Sequence, residues 1–163
     1  MSILLALSLS TGICCGIWAL ISSLLSDVLI KWIGFAGCTA YFASGKHGIE
    51  GIKTAIFTTI SGVASALVAV FISGLFGFNS AVVILMTGII SCTMCLQSVN
   101  KYLSFIPGTF IGCFSSFAYL SSGANLLSPD LTKLIISLLC GSILAVSCDK
   151  GGEFLFKISN KDK

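Results

Sequence analysis

Three residue classes in this 163-residue chain could do chemistry: one histidine, eight cysteines and six carboxylates. His47 lies beside Lys46 in a polar connection and reads as a solvated loop residue, since a metal site wants several convergent ligands. Cys92-Thr-Met-Cys95 has the C-x-x-C spacing of a redox pair, but it lies within an apolar run and lacks the strand–helix context that such a pair needs. The cysteines as a set fall mostly in apolar runs, where a thiol acts as a small packing residue. A disulfide framework belongs to small secreted domains and is rejected here. Asp27, Glu50, Asp130, Asp149, Glu153 and Asp162 all fall in connections, span ends or the C-terminal tail. No Ser-His-Asp arrangement or metal-ligand spacing emerges. No catalytic residue, metal or cofactor is expected, and the chain does not read as an enzyme.

What remains is weakly polar. Thr11, Cys15, Trp18 and Ser22 recur at helical spacing, and Thr87, Ser91, Cys95 and Ser98 do the same at matching later positions. Thr54, Thr58, Ser61 and Ser65 form a third stripe. Such stripes can line a narrow polar path for a small neutral or dipolar solute. They also serve as packing faces, because small and hydroxylated residues let membrane helices approach closely. Both readings stand for Thr11, Cys15, Thr87, Ser91 and Cys95. Gly12-x-x-x-Gly16 and Gly108-x-x-x-Gly112 favour packing.

The elements that must position these residues follow from composition. Hydrophobic residues make up 56% and charged residues 9% of the chain, against roughly 25% charged in a soluble domain; mean hydropathy is +1.06. Too few charges remain to solvate a water-soluble globule, so an all-α, polytopic membrane protein is expected, with the lipid bilayer as its first partner. The net charge of +3 comes from lysine alone, without the basic face that nucleic-acid binding requires. Six runs approach the roughly 20 apolar residues of a span: 3–25, 28–44, 52–76, 81–99, 102–120 and 131–148. The N-terminal run MSILLALSLSTG has no positive n-region and no A-x-A site, so it reads as the first span. The connections are short and polar, and 149–163 reads as a short polar tail.

The chain also repeats itself. Thr11-Gly12-Ile13 matches Thr87-Gly88-Ile89, Phe35-Ala36-Gly37-Cys38 matches Phe110-Ile111-Gly112-Cys113, and Ser61-Gly62 matches Cys140-Gly141. One ordered match per span divides a six-helix domain, 1–148, into halves of about 3–76 and 81–148. An odd number of spans per half inverts the second half, as in many transporters. The second and fifth spans are dense in glycine at corresponding places, and Pro107 stands directly before Gly108. Short or Gly/Pro-interrupted segments in equivalent positions of two halves point to a binding site. A break there would expose backbone groups, which are tolerated only beside protein or a water-filled cavity. Phe35, Gly37, Cys38, Pro107, Gly108, Phe110, Gly112 and Cys113 are therefore expected to meet near the midplane as a constriction. The aromatics would set its bore and the glycines would permit close approach.

Three strings carry a family resemblance: Ser10-Thr11-Gly12-Ile13 with Gly16-Ile17-Trp18, the stretch from Gly34 to Ala43, and Ser104-Phe105-Ile106-Pro107-Gly108-Thr109-Phe110-Ile111-Gly112. On these the chain resembles the YcdZ-like family of bacterial inner-membrane proteins (domain of unknown function 1097). That resemblance implies a small multi-span inner-membrane protein and no established activity.

The leading functional expectation is a channel or facilitator for a small neutral or dipolar solute, assembled as a homo-oligomer. The alternative is a non-transporting accessory protein that partners another membrane component. A carrier with a sodium site built from hydroxyls and carbonyls is a third reading. With six crossings, seven lysines (46, 53, 101, 150, 157, 161 and 163) share one side and two (31 and 133) the other. Positive charge stays inside, so both termini are expected in the cytoplasm. A C-terminal fluorescent or phosphatase reporter checks this: fluorescence without phosphatase activity is expected, and the opposite pattern would reverse the orientation.

Overall fold

The computed structural model describes residues 1–125 and 129–160, which form helices and connections with no strand among them. Residues 126–128 of the expected fifth-to-sixth turn, Asn125 to Asp130, and the last residues of the tail, 161–163, lie outside this range. The helices are α1 (Ile3–Leu24), α2 (Lys31–Ala43), α3 (Gly48–Leu75), α4 (Ser80–Leu96), α5 (Ile106–Ser121) and α6 (Pro129–Ser159), with a 3-10 turn at Gln97–Val99. Their ends follow local chemistry. Ser2 caps α1 by accepting from the Leu5 N–H at 3.3 Å, and Asn79 caps α4 by accepting from Ala81 at 2.9 Å. Gly45 and Gly77 take φ of 65° and 61° in the turns after α2 and α3, a backbone region that favours glycine.

Four segments are long and apolar enough to cross a membrane: Ile3–Leu24, Gly48–Leu75, Ser80–Val99 and Pro129–Ser159. The expected second and fifth spans are shorter. α2 has 13 residues and α5 has 16, about 20 and 24 Å at the helical rise, against a hydrocarbon core of about 30 Å. Neither helix is broken. Gly34 and Gly37 lie inside continuous α2, and Pro107 sits in the first turn of α5, where its missing N–H costs no hydrogen bond. The proline starts α5 instead of interrupting it.

α2 packs chiefly on α6, and α5 on α3, while α2 and α5 also touch each other. The seams are made by glycine against carbonyl. A Cβ at Gly37 would strike the Leu138 carbonyl, and one at Gly141 the Gly34 carbonyl. In the other seam a Cβ at Gly112 would strike the Thr59 carbonyl, and one at Gly62 the Thr109 carbonyl. These contacts correspond position by position: 34 and 37 lie 75 residues before 109 and 112, and 59 and 62 lie 79 before 138 and 141. The same two spacings relate Phe35 to Phe110 and Ser61 to Cys140, while Thr11 and Thr87 stand 76 apart.

α1 lies along α6 in the opposite direction, because Ser10 Oγ donates to the Cys148 carbonyl at 2.8 Å while Gly152 packs on Leu7 further back along α1. The Met1 amine then donates to Asn160 Oδ1 at 3.3 Å, and Asn160 Nδ2 donates to the Met1 carbonyl at 3.2 Å. Both ends of the described chain thus sit at one end of the bundle. The 149–159 segment, expected as a tail, continues α6 without interruption.

Gly12 and Gly16 differ from the motif-level expectation: among the described residues no atom of another helix lies within 4 Å of a Cβ built at either, so this small-residue pair makes no close helix contact there. The contrast sets a test. Gly141→Ala and Gly112→Ala should each lower stability by about 2 kcal/mol or more through overpacking against rigid backbone, whereas Gly12→Ala should stay within about 0.5 kcal/mol. Denaturant titration in detergent, followed by tryptophan fluorescence, measures all three.

Candidate functional site

Two clusters of polar side chains stand out within the mainly apolar bundle. The first lies where α3, α5 and the end of α4 meet. Ser61 Oγ donates to Gln97 Oε1 at 2.6 Å, and Gln97 Nε2 donates to Thr109 Oγ1 at 2.9 Å. One amide therefore bridges hydroxyls from two helices. Around it, α3 buries Thr54, Thr58 and Thr59, and α5 buries Thr109, Ser115 and Ser116. Thr58, Thr59 and Ser116 each return their hydrogen to a carbonyl one turn earlier, which is how hydroxyls are satisfied in apolar surroundings. Ser115 Oγ is buried with no partner among the described residues, and a buried hydroxyl left so costs about 1–3 kcal/mol.

Beside this bridge runs a groove of about 400 Å³ between α3 and α4, lined by Ser61, Ser65, Val68, Ile90 and Thr93 among others. A second groove of about 430 Å³ runs between α1 and α6, along Cys14, Ile17, Cys140, Leu144 and Ser147. The two correspond: Cys14 and Ile17 stand 76 residues before Ile90 and Thr93, while Ser61, Ser65 and Val68 stand 79 before Cys140, Leu144 and Ser147. Both grooves are mainly apolar. The α3–α4 groove has three hydroxyls among its lining residues, Ser61, Ser65 and Thr93, and the other has Ser147 with the thiols of Cys14 and Cys140.

The second polar place is at the end of the bundle that holds the chain termini. Asp149 on α6 is 9% exposed. Its Oδ2 accepts from Tyr41 Oη at 2.8 Å and lies 2.9 Å from His47 Nδ1. The Gly48 N–H donates to Tyr41 Oη at 2.7 Å, which ties the start of α3 into the same knot. A buried carboxylate requires such partners. Two expectations change here. His47 has an exposed ring but one engaged nitrogen, and Asp149 is a buried helical residue instead of the first residue of a solvated tail. α6 continues past Cys148 because Gly151 and Gly152, which read as helix breakers, are close-packing positions against Ser10 and Leu7.

The expected path residues are distributed as follows. Gly37, Cys38, Gly108, Gly112 and Cys113 are buried, Phe35 is half-buried, and Pro107 and Phe110 are exposed. The glycines do not face one another: Gly37 meets α6, while Gly108 and Gly112 meet Thr58 and Thr59 of α3. Of the stripe candidates, Thr11, Cys15 and Ser91 are half-buried, and Thr87 and Cys95 are exposed. Thr87 and Ser91 bond to the Val83 and Thr87 carbonyls of their own helix. All eight cysteines are free thiols, and Cys92 and Cys95 are exposed. Sequence reasoning passes over Gln97, Thr109, Tyr41 and Asp149. Counting ionisable groups omits Gln97, although its place one helical turn after Thr93 was visible.

Residues 8–153 match the family described as Protein of unknown function (DUF1097). Inner membrane protein YcdZ of Escherichia coli (strain K12) is 42% identical over 118 residues, covering 72% of this chain and 71% of that protein. The protein of the same name from Salmonella typhimurium is also 42% identical over 118 residues, with 72% of each chain covered. Uncharacterized protein YahC of Escherichia coli (strain K12) is 30% identical over 169 aligned positions, covering 97% of this chain and 96% of that one. No solved structure matches. A bundle with four segments apolar enough to span a bilayer, matched to the family over residues 8–153, makes this chain an integral inner-membrane protein that belongs to the DUF1097 family.

Proposed function

We propose that the protein is a facilitator for a small neutral or dipolar solute, built from two inverted three-helix halves with both termini in the cytoplasm. The observation that carries this reading is the Gln97 amide, held between Ser61 and Thr109 beside the α3–α4 groove, a mainly apolar cleft with Ser61, Ser65 and Thr93 in its lining. A solute bearing one donor and one acceptor can bond to that amide in place of the two hydroxyls, each of which can turn to a carbonyl of its own helix. Among the described residues no ionisable group hydrogen-bonds to the bridge, which suits a neutral solute and not an ion held by charge pairing. Thr109 stands between Gly108 and Phe110, so the bridge adjoins the segment expected to form the constriction.

The matched glycine contacts support the inverted duplication. The second helix of each half packs on the third helix of the other, with the same residue spacings in both seams. Short α2 and α5, at corresponding places in the chain, also fit the paired short segments that point to a site in such folds. The glycine seams are closed in this conformation, so passage follows the α3–α4 groove and requires α4 to move on α3. α4 has the larger freedom: most of its surface is exposed, and Met86, Ile90 and Met94 are its buried residues.

The accessory reading has its own support in the unpacked small-residue faces at Gly12, Gly16 and Gly88, which suit a second copy of the chain or another membrane helix. Light scattering from proteoliposomes under osmotic gradients of glycerol, urea and similar neutral solutes separates the two. We expect faster solute entry than in empty liposomes, reduced about fivefold to tenfold by Gln97→Leu, the loss of about one or two hydrogen bonds' worth of stabilisation. Gln97→Leu must elute and melt as the parent does. Entry no faster than in empty liposomes across the panel would leave the accessory role, and entry that required a sodium gradient would mark a carrier.

A further inference from the structure

A third concavity of about 190 Å³ opens at the end of the bundle that holds the termini, lined by Lys46, Glu50, Lys53, Thr54, Phe57, Lys101 and Tyr102. We propose that it binds the phosphate of an anionic phospholipid headgroup at the cytoplasmic membrane boundary. This inference rests on the orientation taken above and not on the solute path.

Three lysines reach it from three separate segments: the α2–α3 connection, α3 itself and the turn before α5. A general excess of positive charge in connections explains their side of the membrane but not their convergence on one hollow. Glu50 is the single carboxylate in the lining, and its Oε1 stands 3.9 Å from Lys53 Nζ with both side chains largely exposed, a pair worth little. Lys46 Nζ donates to Thr54 Oγ1 at 3.1 Å instead of to a carboxylate. The Thr54 residue is buried, and among the described residues its own hydroxyl hydrogen makes no bond, so the hollow offers an O–H donor beside three ammonium groups. Phosphate oxygens accept from this set, whereas a cation or a neutral solute gains nothing from it.

Size and surroundings select the source of the phosphate. A hollow of 190 Å³ is smaller than the roughly 300–1,000 Å³ of typical small-molecule pockets, so it takes a headgroup phosphate and leaves the rest of the lipid outside. Phe57 and Tyr102 stand at its edge with ring centroids 5.9 Å apart, 49% and 65% exposed. An exposed phenyl ring beside an exposed phenol suits the level where headgroups meet acyl chains. Basic pockets between membrane helices on the cytoplasmic side hold anionic headgroups on this principle.

The test uses the full chain in detergent, titrated with phosphatidylglycerol or phosphatidylcholine and read by native mass spectrometry. Wild type should retain phosphatidylglycerol preferentially, and Lys46→Gln/Lys53→Gln/Lys101→Gln should weaken that retention on the order of tenfold to a hundredfold. Lys31→Gln/Lys133→Gln/Lys157→Gln removes equal charge elsewhere and should change it by no more than about twofold. Glu50→Gln should tighten it, which gives a readout independent of folding losses. The proposal falls if the pocket triple binds like wild type, if the control triple loses as much, or if Glu50→Gln weakens retention. It also falls if inorganic phosphate displaces the lipid at low millimolar concentration, which would make a free phosphate the occupant.

Discussion

Close approach of helix backbones at Gly37, Gly62, Gly112 and Gly141 is the constraint on which the bundle depends. In hydrocarbon, one apolar side chain against another brings little over a side chain against lipid, so helices associate where their surfaces fit most closely. At each of these four positions a neighbouring carbonyl occupies the space a Cβ would take. The short helices α2 and α5 are thereby locked onto α6 and α3, and every other contact is arranged around those two seams. α1 and α4 complete the bundle from outside, and both leave small-residue faces open.

Within that frame the two seams differ in chemistry while matching in contact geometry. The α2–α6 side is filled with Ile33, Cys38, Leu138 and Cys148, and ends in the Tyr41–Asp149–His47 knot. The α3–α5 side carries threonines and serines, crossed by the Gln97 bridge. Hydroxyls on a helix are tolerated in apolar surroundings because each can return its hydrogen to its own backbone. Gln97 cannot satisfy a full amide in that way, so it needs partners on other helices. That requirement makes it the most informative polar residue in the described structure.

Much of the fold was legible in order and spacing. The repeat offsets near 75 and 79 recur as contact offsets, because residues equivalent in sequence occupy equivalent places in the two seams. The site was less legible. Gly37 and Gly112 were identified as close-approach positions, but their partners lie on α6 and α3, since facing direction depends on how helices are laid together. Asp149 illustrates the same limit. It follows an apolar run and precedes two glycines, so its sequence context suggests solvent, yet the antiparallel fit of α1 against α6 keeps the helix going and buries the carboxylate beside Tyr41.

The amino-acid order by itself determined what every residue carries locally: apolar runs that demand a bilayer, a recurring pattern, glycines where backbones can meet, and lysines kept near the ends of the apolar runs or beyond them. Those properties depend on residue type and short-range periodicity, which a linear chain displays in full. Only the tertiary structure decided which helix each glycine touches, that α2 and α5 are short and unbroken, and that Gln97, Asp149 and three distant lysines each enter a shared polar setting. Such groupings join residues far apart in the chain, and nothing in the local pattern encodes the rotation and depth at which two helices come to rest.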